Sequence, residues 1–199
     1  TYEETVAACE KSLKDLGLEY LDLYLIHWAR PQKFHDNWEE RNREVWRAFE
    51  TLYEQGKVRA IGVSNFSEKH LDALLKTAKI VPMVNQIELQ PGHMQPALVE
   101  YCQRRDILVE AWAPFAVGKV FGLPVLQKLS QKYDRPISHI LLNWYLSKGI
   151  LPLVKSTTAS RIAENLAYRG LTLQSADAAL IDAVTEDLSS GNDPDHIDF

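Results

Sequence analysis

This chain is notable first for what it does without. Its two cysteines, Cys9 and Cys102, lie far apart and make no CxxC pair, so neither a disulfide framework nor a cysteine metal site is expected. They suit small core residues in a reducing compartment. None of the nine glycines builds a Gly-x-Gly-x-x-Gly turn or a P-loop, which argues against a doubly wound dinucleotide-binding domain. No block of lysine or arginine stands out, and the net charge is −5, so nucleic acid and anionic membrane are excluded as main partners. No apolar run reaches membrane-span length, and a cytoplasmic location is expected. The six histidines (His27, His35, His70, His93, His139 and His196) show no metal-ligand spacing, so no metal is expected. Most of them read as surface or helix-cap residues.

What is present is a 199-residue chain, 46% hydrophobic, in which short apolar runs alternate with helical patterns. Strands are predicted near 21–27, 58–64, 83–89, 107–113 and 151–155. Helices are predicted over the opening residues to Gly17 and near 40–55, 67–78, 96–105, 124–133, 136–148, 160–168 and 175–188. No two strands are joined by a hairpin turn; each is followed by a segment long enough for a crossover helix. Repeated βα units of this kind build a parallel sheet. Without the glycine turn they favour a (β/α)8 TIM-barrel type, of which about five of the eight units are present, in one domain over 1–199. A closed barrel needs eight strands and about 250 residues. The chain opens Thr1-Tyr2-Glu3-Glu4 directly into a helix, as a domain cut rather than begun.

The strand ends carry the chemistry. Leu21-Asp22-Leu23-Tyr24-Leu25-Ile26 is apolar but for Asp22 and delivers His27 and Trp28. Parallel α/β folds gather catalytic groups at such carboxyl ends, although a histidine there is as often a satisfied end-of-strand residue. The second strand delivers Ser64-Asn65-Phe66, which also fits a helix cap, as does Ser67. The third holds Asn85, Gln86 and Glu88, and buried amides and acids need a network or a ligand. The fourth ends in Trp112, an indole more often core than platform. The last runs into Lys155-Ser156, then Ser160 as a candidate cap, with Arg161 in the first helical turn and Asn165 one turn on. Ammonium, guanidinium, hydroxyl and helix start together suit an anion, where barrels often hold phosphates. The alternative is a solvated helix start with a scattered charge pair.

Three stretches together resemble the aldo-keto reductase superfamily of NADP-dependent barrels: Leu21–Trp28, the run Gly56-Lys57-Val58-Arg59-Ala60-Ile61-Gly62-Val63-Ser64-Asn65-Phe66, and Leu153-Val154-Lys155-Ser156 with Arg161, Glu164 and Asn165. The resemblance extends over essentially the whole chain and corresponds to the last five strands of that barrel. It implies NADPH as cofactor, a small aldehyde or ketone as substrate, and reduction to an alcohol by hydride transfer. It casts His27 as the group that polarises the carbonyl. Ser64, Asn65 and Gln86 would bind the nicotinamide carboxamide, and Trp112 would stack on its ring. Ala113-Pro114-Phe115 would open the pyrophosphate loop, Lys155, Ser156 and Arg161 would hold the 2′-phosphate, and Glu164 and Asn165 would contact adenine. Trp28 would line the substrate pocket with segments 29–38, 116–123 and 189–199.

The resemblance also implies a tyrosine acid with a lysine and an aspartate, carried on the family's first three strands, which have no counterpart here. Tyr24 cannot replace it, because strand alternation sends it to the face opposite His27. The segment Leu166-Ala167-Tyr168-Arg169-Gly170 departs from the apolar run usual there. A chain so composed is expected to turn over poorly on its own and to self-associate through open barrel edges. Two other readings stay open: a non-catalytic NADP(H)-binding relative, like the redox-sensing channel subunits that resemble this family, and an inactive fragment lacking the acid tyrosine.

Overall fold

The computed structural model describes residues 1–198. Among the described residues are eight α-helices and five short strands, each strand followed by at least one helix, and the strands follow the order β1-β2-β3-β4-β5, with the β1–β2, β2–β3 and β4–β5 pairs parallel. The described residues fall into two compact units. One comprises Thr1–Gln86, Glu100–Ile107 and the segment from Asn192 onward; the other comprises Ile87–Val99 and Leu108–Gly191.

In the first unit α1 (Tyr2–Leu16) starts on a capping box, the Thr1 hydroxyl accepting from the Glu4 amide. It stops at Gly17, whose φ of 66° is left-handed, the C′ role read from the sequence. The helix buries Cys9 and Leu13, and Tyr2 donates to Thr51 of α2 (Trp38–Glu54) at 3.0 Å. From α2, Trp46, Phe49 and Leu52 enter the core beside Ile61 and Val63 of β2 (Ile61–Ser64). Glu50 is buried as well, and its carboxylate accepts the amides of Lys79 and Ile80 at 2.6 and 3.0 Å. β1 (Tyr24–Ile26) pairs with β2 in the register Leu25↔Gly62, and β2 pairs with β3 (Val84–Glu88) as Ser64↔Gln86. Gly62 sits where backbones crowd: a Cβ there would lie 2.6 Å from the Val84 carbonyl oxygen. α3 (Glu68–Leu75) follows β2, and its His70 is completely buried.

The second unit contains the end of β3, β4 (Leu108–Trp112), α5 (Pro124–Tyr133), α6 (Ile137–Ser147), β5 (Ile150–Pro152), α7 (Ala159–Leu166) and α8 (Ser175–Asp182). α4 (Pro96–Gln103) runs across the division. α6 supplies most of this core through Ile140, Leu141, Trp144 and Tyr145. The Tyr145 hydroxyl donates to the Leu89 carbonyl at 2.7 Å, and Trp144 Nε1 donates to Asp182 at 2.9 Å. No helix among the described residues is long and apolar enough to cross a membrane.

Every predicted helix and strand is present, with corrections at the ends. The continuous strands are shorter than the apolar runs: Leu21 and Val58 are joined only by an isolated bridge, and β5 begins at Ile150 and ends at Pro152. α8 stops at Asp182 instead of continuing to 188: Ser190 donates from both its amide and its hydroxyl to Glu88, at 2.7 Å each, and this draws the following segment out of the helix. Short 3-10 turns at Gln32–Phe34 and Ala116–Gly122 lie in segments read as loop. Thr158, not Ser160, holds the N-cap position of α7. His139 is buried rather than superficial, and His70, though fully buried, caps α3 by accepting the Ser67 amide, as the helix-cap reading allows. Phe199, the last residue of the segment assigned to the substrate pocket, lies outside the described residues.

Candidate active site

In the first unit the parallel register brings four of the expected residues together. β1 ends at Ile26 and hands His27 to solvent, while Trp28 beside it is largely buried, the two rings tilted with centroids 5.9 Å apart. Tyr24 turns the other way and stacks on Phe49 of α2 at 4.6 Å, as alternation requires. At the end of β2, Ser64 donates its hydroxyl to the Gln86 carbonyl at 2.8 Å, and the Asn65 amide N–H donates to the same oxygen at 2.9 Å. Asn65 Nδ2 reaches the His27 carbonyl at 3.0 Å and Ser64 Oγ at 3.1 Å. Its φ of 59° is a left-handed conformation that asparagine tolerates better than most residues. His27, Ser64, Asn65 and Gln86 are thus tied to one another through backbone and side-chain bonds. Asn85, pointing away, donates to the Phe66 carbonyl at 2.9 Å.

In the second unit a cavity of about 930 Å³ is lined by Ala113, Pro114, Phe115, Lys155, Ser156, Arg161, Glu164 and Asn165, every residue assigned from sequence to the pyrophosphate, 2′-phosphate and adenine. Ser130, Ile137 and Ser138, which the sequence reading did not single out, also line it, as do Val117, Gly118 and Phe121 from the segment 116–123 that it gave to the substrate pocket. Trp112, at the end of β4, accepts the Leu89 amide on its carbonyl at 3.5 Å and is partly buried. The loop that follows is backbone-strained: Ala113, Ala116 and Val117 all have positive φ, and Val117 is 97% exposed. Ser156 folds its hydroxyl onto the Thr158 amide at 3.1 Å, shaping the turn before α7. Among the described residues no cluster of metal-ligating side chains occurs.

Two buried polar anchors lie in the same unit: Glu88, for which the sequence reading required a network or a ligand, and His139, which it missed. Glu88 fastens Ser190 and also receives Gln90 Nε2 at 3.1 Å. His139 Nε2 lies 2.7 Å from the Glu164 carbonyl oxygen. A signal for the second existed, since His139 and Asn143 are an i, i+4 polar pair on a predominantly apolar helix.

Parallel strands in sequential order, joined through helices and followed by polar residues, are of the (β/α)-barrel type. The profile of the aldo/keto reductase family matches residues 1–186, and the chain belongs to that family. It is 46% identical to the uncharacterized oxidoreductase YtbE of Bacillus subtilis over 198 residues, covering all of this chain and 68% of that protein. It is 43% identical to glyoxal reductase of the same organism, covering 69% of it. Among solved structures it matches the apo form of Gox0644 with a TM-score of 0.89 at 35% identity, over 98% of this chain and 70% of that one. A mutant of Gox0644 in complex with NADPH matches equally well.

Proposed function

We propose that this chain carries the dinucleotide cradle and the carbonyl-orienting face of an NADPH-dependent reductase that converts aldehydes or ketones to alcohols. The observation that carries this reading is the gathering of Lys155, Ser156, Arg161, Glu164 and Asn165 around one cavity with Ala113 and Phe115. Two cations and a hydroxyl at a helix start suit a phosphate dianion, and an arginine near the ribose favours NADP over NAD. The volume lies in the range of small-molecule sites. Glyoxal reductase of B. subtilis and methylglyoxal reductase DkgA of Yersinia pestis, 38% identical to this chain, point to small carbonyl substrates.

When bound, the dinucleotide supplies the hydride that reduces the carbonyl carbon. Ser64, Asn65 and Gln86 hold the nicotinamide carboxamide, and Trp112 offers its indole to the ring. His27 donates a hydrogen bond to the substrate oxygen, which polarises the carbonyl and fixes its orientation. Trp28 forms a wall of the substrate pocket. Glu164 and Asn165 contact adenine. We assign residues 1–199 to one domain that corresponds to the last five strands of an eight-stranded barrel, and place the protein in the cytoplasm. The tyrosine acid of the family belongs to strands with no counterpart in this chain, and Tyr24 is turned away against Phe49. General acid catalysis typically contributes about 10²–10⁴-fold, so the 199-residue chain binds cofactor but turns over slowly. β1 and β5 stand at the two ends of the strand order, and their outer edges invite pairing with another copy.

The test is a titration of NADPH against tryptophan fluorescence of the chain, with glyoxal-dependent loss of NADPH absorbance measured in parallel. Saturable quenching with weak turnover is expected. Absence of binding at millimolar NADPH overturns the reading, and turnover of ordinary enzymatic magnitude overturns the assignment of a missing acid.

A further inference from the structure

α7 (Ala159–Leu166) raises a question of support. It brings Arg161, Glu164 and Asn165 to the cavity, yet none of its eight residues is buried and its N-cap, Thr158, makes no side-chain capping bond. Short helices draw their stability mainly from packing of an apolar face, and this one has almost none. Its far end is held instead by polar bonds from α6. His139, 5% exposed, sets Nε2 at 2.7 Å from the Glu164 carbonyl oxygen. A carbonyl only accepts, so the imidazole donates and carries its hydrogen on Nε2. One turn along, Asn143 Nδ2 donates to the Tyr168 carbonyl at 2.9 Å and to the His139 carbonyl at 2.8 Å.

α6 is a firm platform. Ile140, Leu141, Trp144 and Tyr145 are all completely buried, and the Tyr145 and Trp144 bonds fix it to Leu89 and Asp182. The Glu164 carbonyl belongs to the peptide unit joining Glu164 to Asn165, so a shift of that oxygen moves both side chains that face the cavity.

We propose that His139, seconded by Asn143, is the positioning residue that sets α7 against the 2′-phosphoadenylate end of the dinucleotide. This rests on the assignment of Arg161, Glu164 and Asn165 to that end. His139 does not line the cavity; it acts through the backbone of residues that do. Its influence is therefore confined to the adenylate half of the ligand.

The experiment uses the full chain, with His139→Leu removing the donor and His139→Gln restoring one of similar reach. Binding of adenosine 2′,5′-bisphosphate is measured by calorimetry, and amide hydrogen exchange is followed over 159–168 and 140–146. Loss of one such hydrogen bond predicts about tenfold weaker binding in His139→Leu, with faster exchange confined to 159–168. His139→Gln stays within about threefold of wild type on the same scale. Wild-type affinity in His139→Leu overturns the inference alone, as does loss of protection spreading into 140–146, which would mark a plain core residue. A wild-type chain that ignores the bisphosphate overturns the dinucleotide assignment and this inference with it.

Discussion

His70 Nε2 lies 3.1 Å from Oδ1 of Asp195, joining the start of α3 to a carboxylate 125 residues further along the chain. The imidazole is completely buried, and its Nδ1 accepts the Ser67 amide at 3.1 Å, so the neutral ring donates to Asp195 through Nε2. Lys69 and Arg30 approach the same carboxylate at 3.0 and 3.2 Å. Burial alone would push the Asp195 carboxyl up, but Lys69, His70 and Arg30 together outweigh it and hold it at about 2. The segment is pinned a second time where Gln32 donates its amide to the Ile197 carbonyl at 3.0 Å.

Replacing Asp195 by alanine removes the acceptor shared by three donors. A carboxyl held at about 2 against an ordinary 3.8 contributes roughly 2 kcal/mol at neutral pH, and that is the expected loss. Urea denaturation of Asp195→Ala reads it directly, and faster hydrogen exchange at 193–198 should accompany it.

The same pair sets an acid limit. Burial pushes His70 below 6.5, and Asp195 only partly restores it. The unfolded chain therefore takes up this proton first as pH falls, so stability is highest above 6.5 and declines below it. Asp195 adds a second decline from near 3.8 down to about 2. Urea midpoints falling between pH 7.5 and pH 5.5 are expected, with a shallower fall in His70→Gln; midpoints rising on acidification would contradict the assignment.

Gly62 is a close approach of backbones in the strand layer of the first unit. A Cβ would lie 2.6 Å from the Val84 oxygen and 2.8 Å from Leu25 Cδ2, so Gly62→Ala must push backbone apart. Overpacking of this kind costs about 1–3 kcal/mol. A midpoint indistinguishable from wild type would show that the strands part freely.

Arg161 and Lys155 should separate NADPH from NADH. Hydrogen bonds to a charged group are worth about 1.5–3 kcal/mol, so Arg161→Ala is expected to weaken NADPH binding at least tenfold while leaving NADH nearly unchanged. Equal losses for both cofactors would place Arg161 elsewhere on the ligand.

Val117 is a β-branched residue at φ 53° with its side chain in solvent. A left-handed conformation costs an ordinary L-residue about 1–2 kcal/mol, less for asparagine. Val117→Asn is expected to raise the melting temperature by about 2–4 °C. No change would mean that the loop relaxes without cost.

The helices, the strand order of units and the chemistry at the strand ends were legible from the residues alone. Gly17 announces the end of α1 and apolar runs announce the strands, while the polar groups at 27, 64–65, 86 and 155–165 fall at or just after strand ends, as their positions in the sequence suggest. These signals are local: periodicity, caps and spacing are written within a few neighbouring residues, where the backbone reads them directly. The joining of Asp195 to His70, of Ser190 to Glu88 and of His139 to the Glu164 carbonyl was decided only by tertiary structure. Each pairs a buried polar group with a partner far along the chain, and the need for a partner shows in the sequence while its identity does not. That identity emerges once packing has excluded water and brought the matching acceptors and donors within reach.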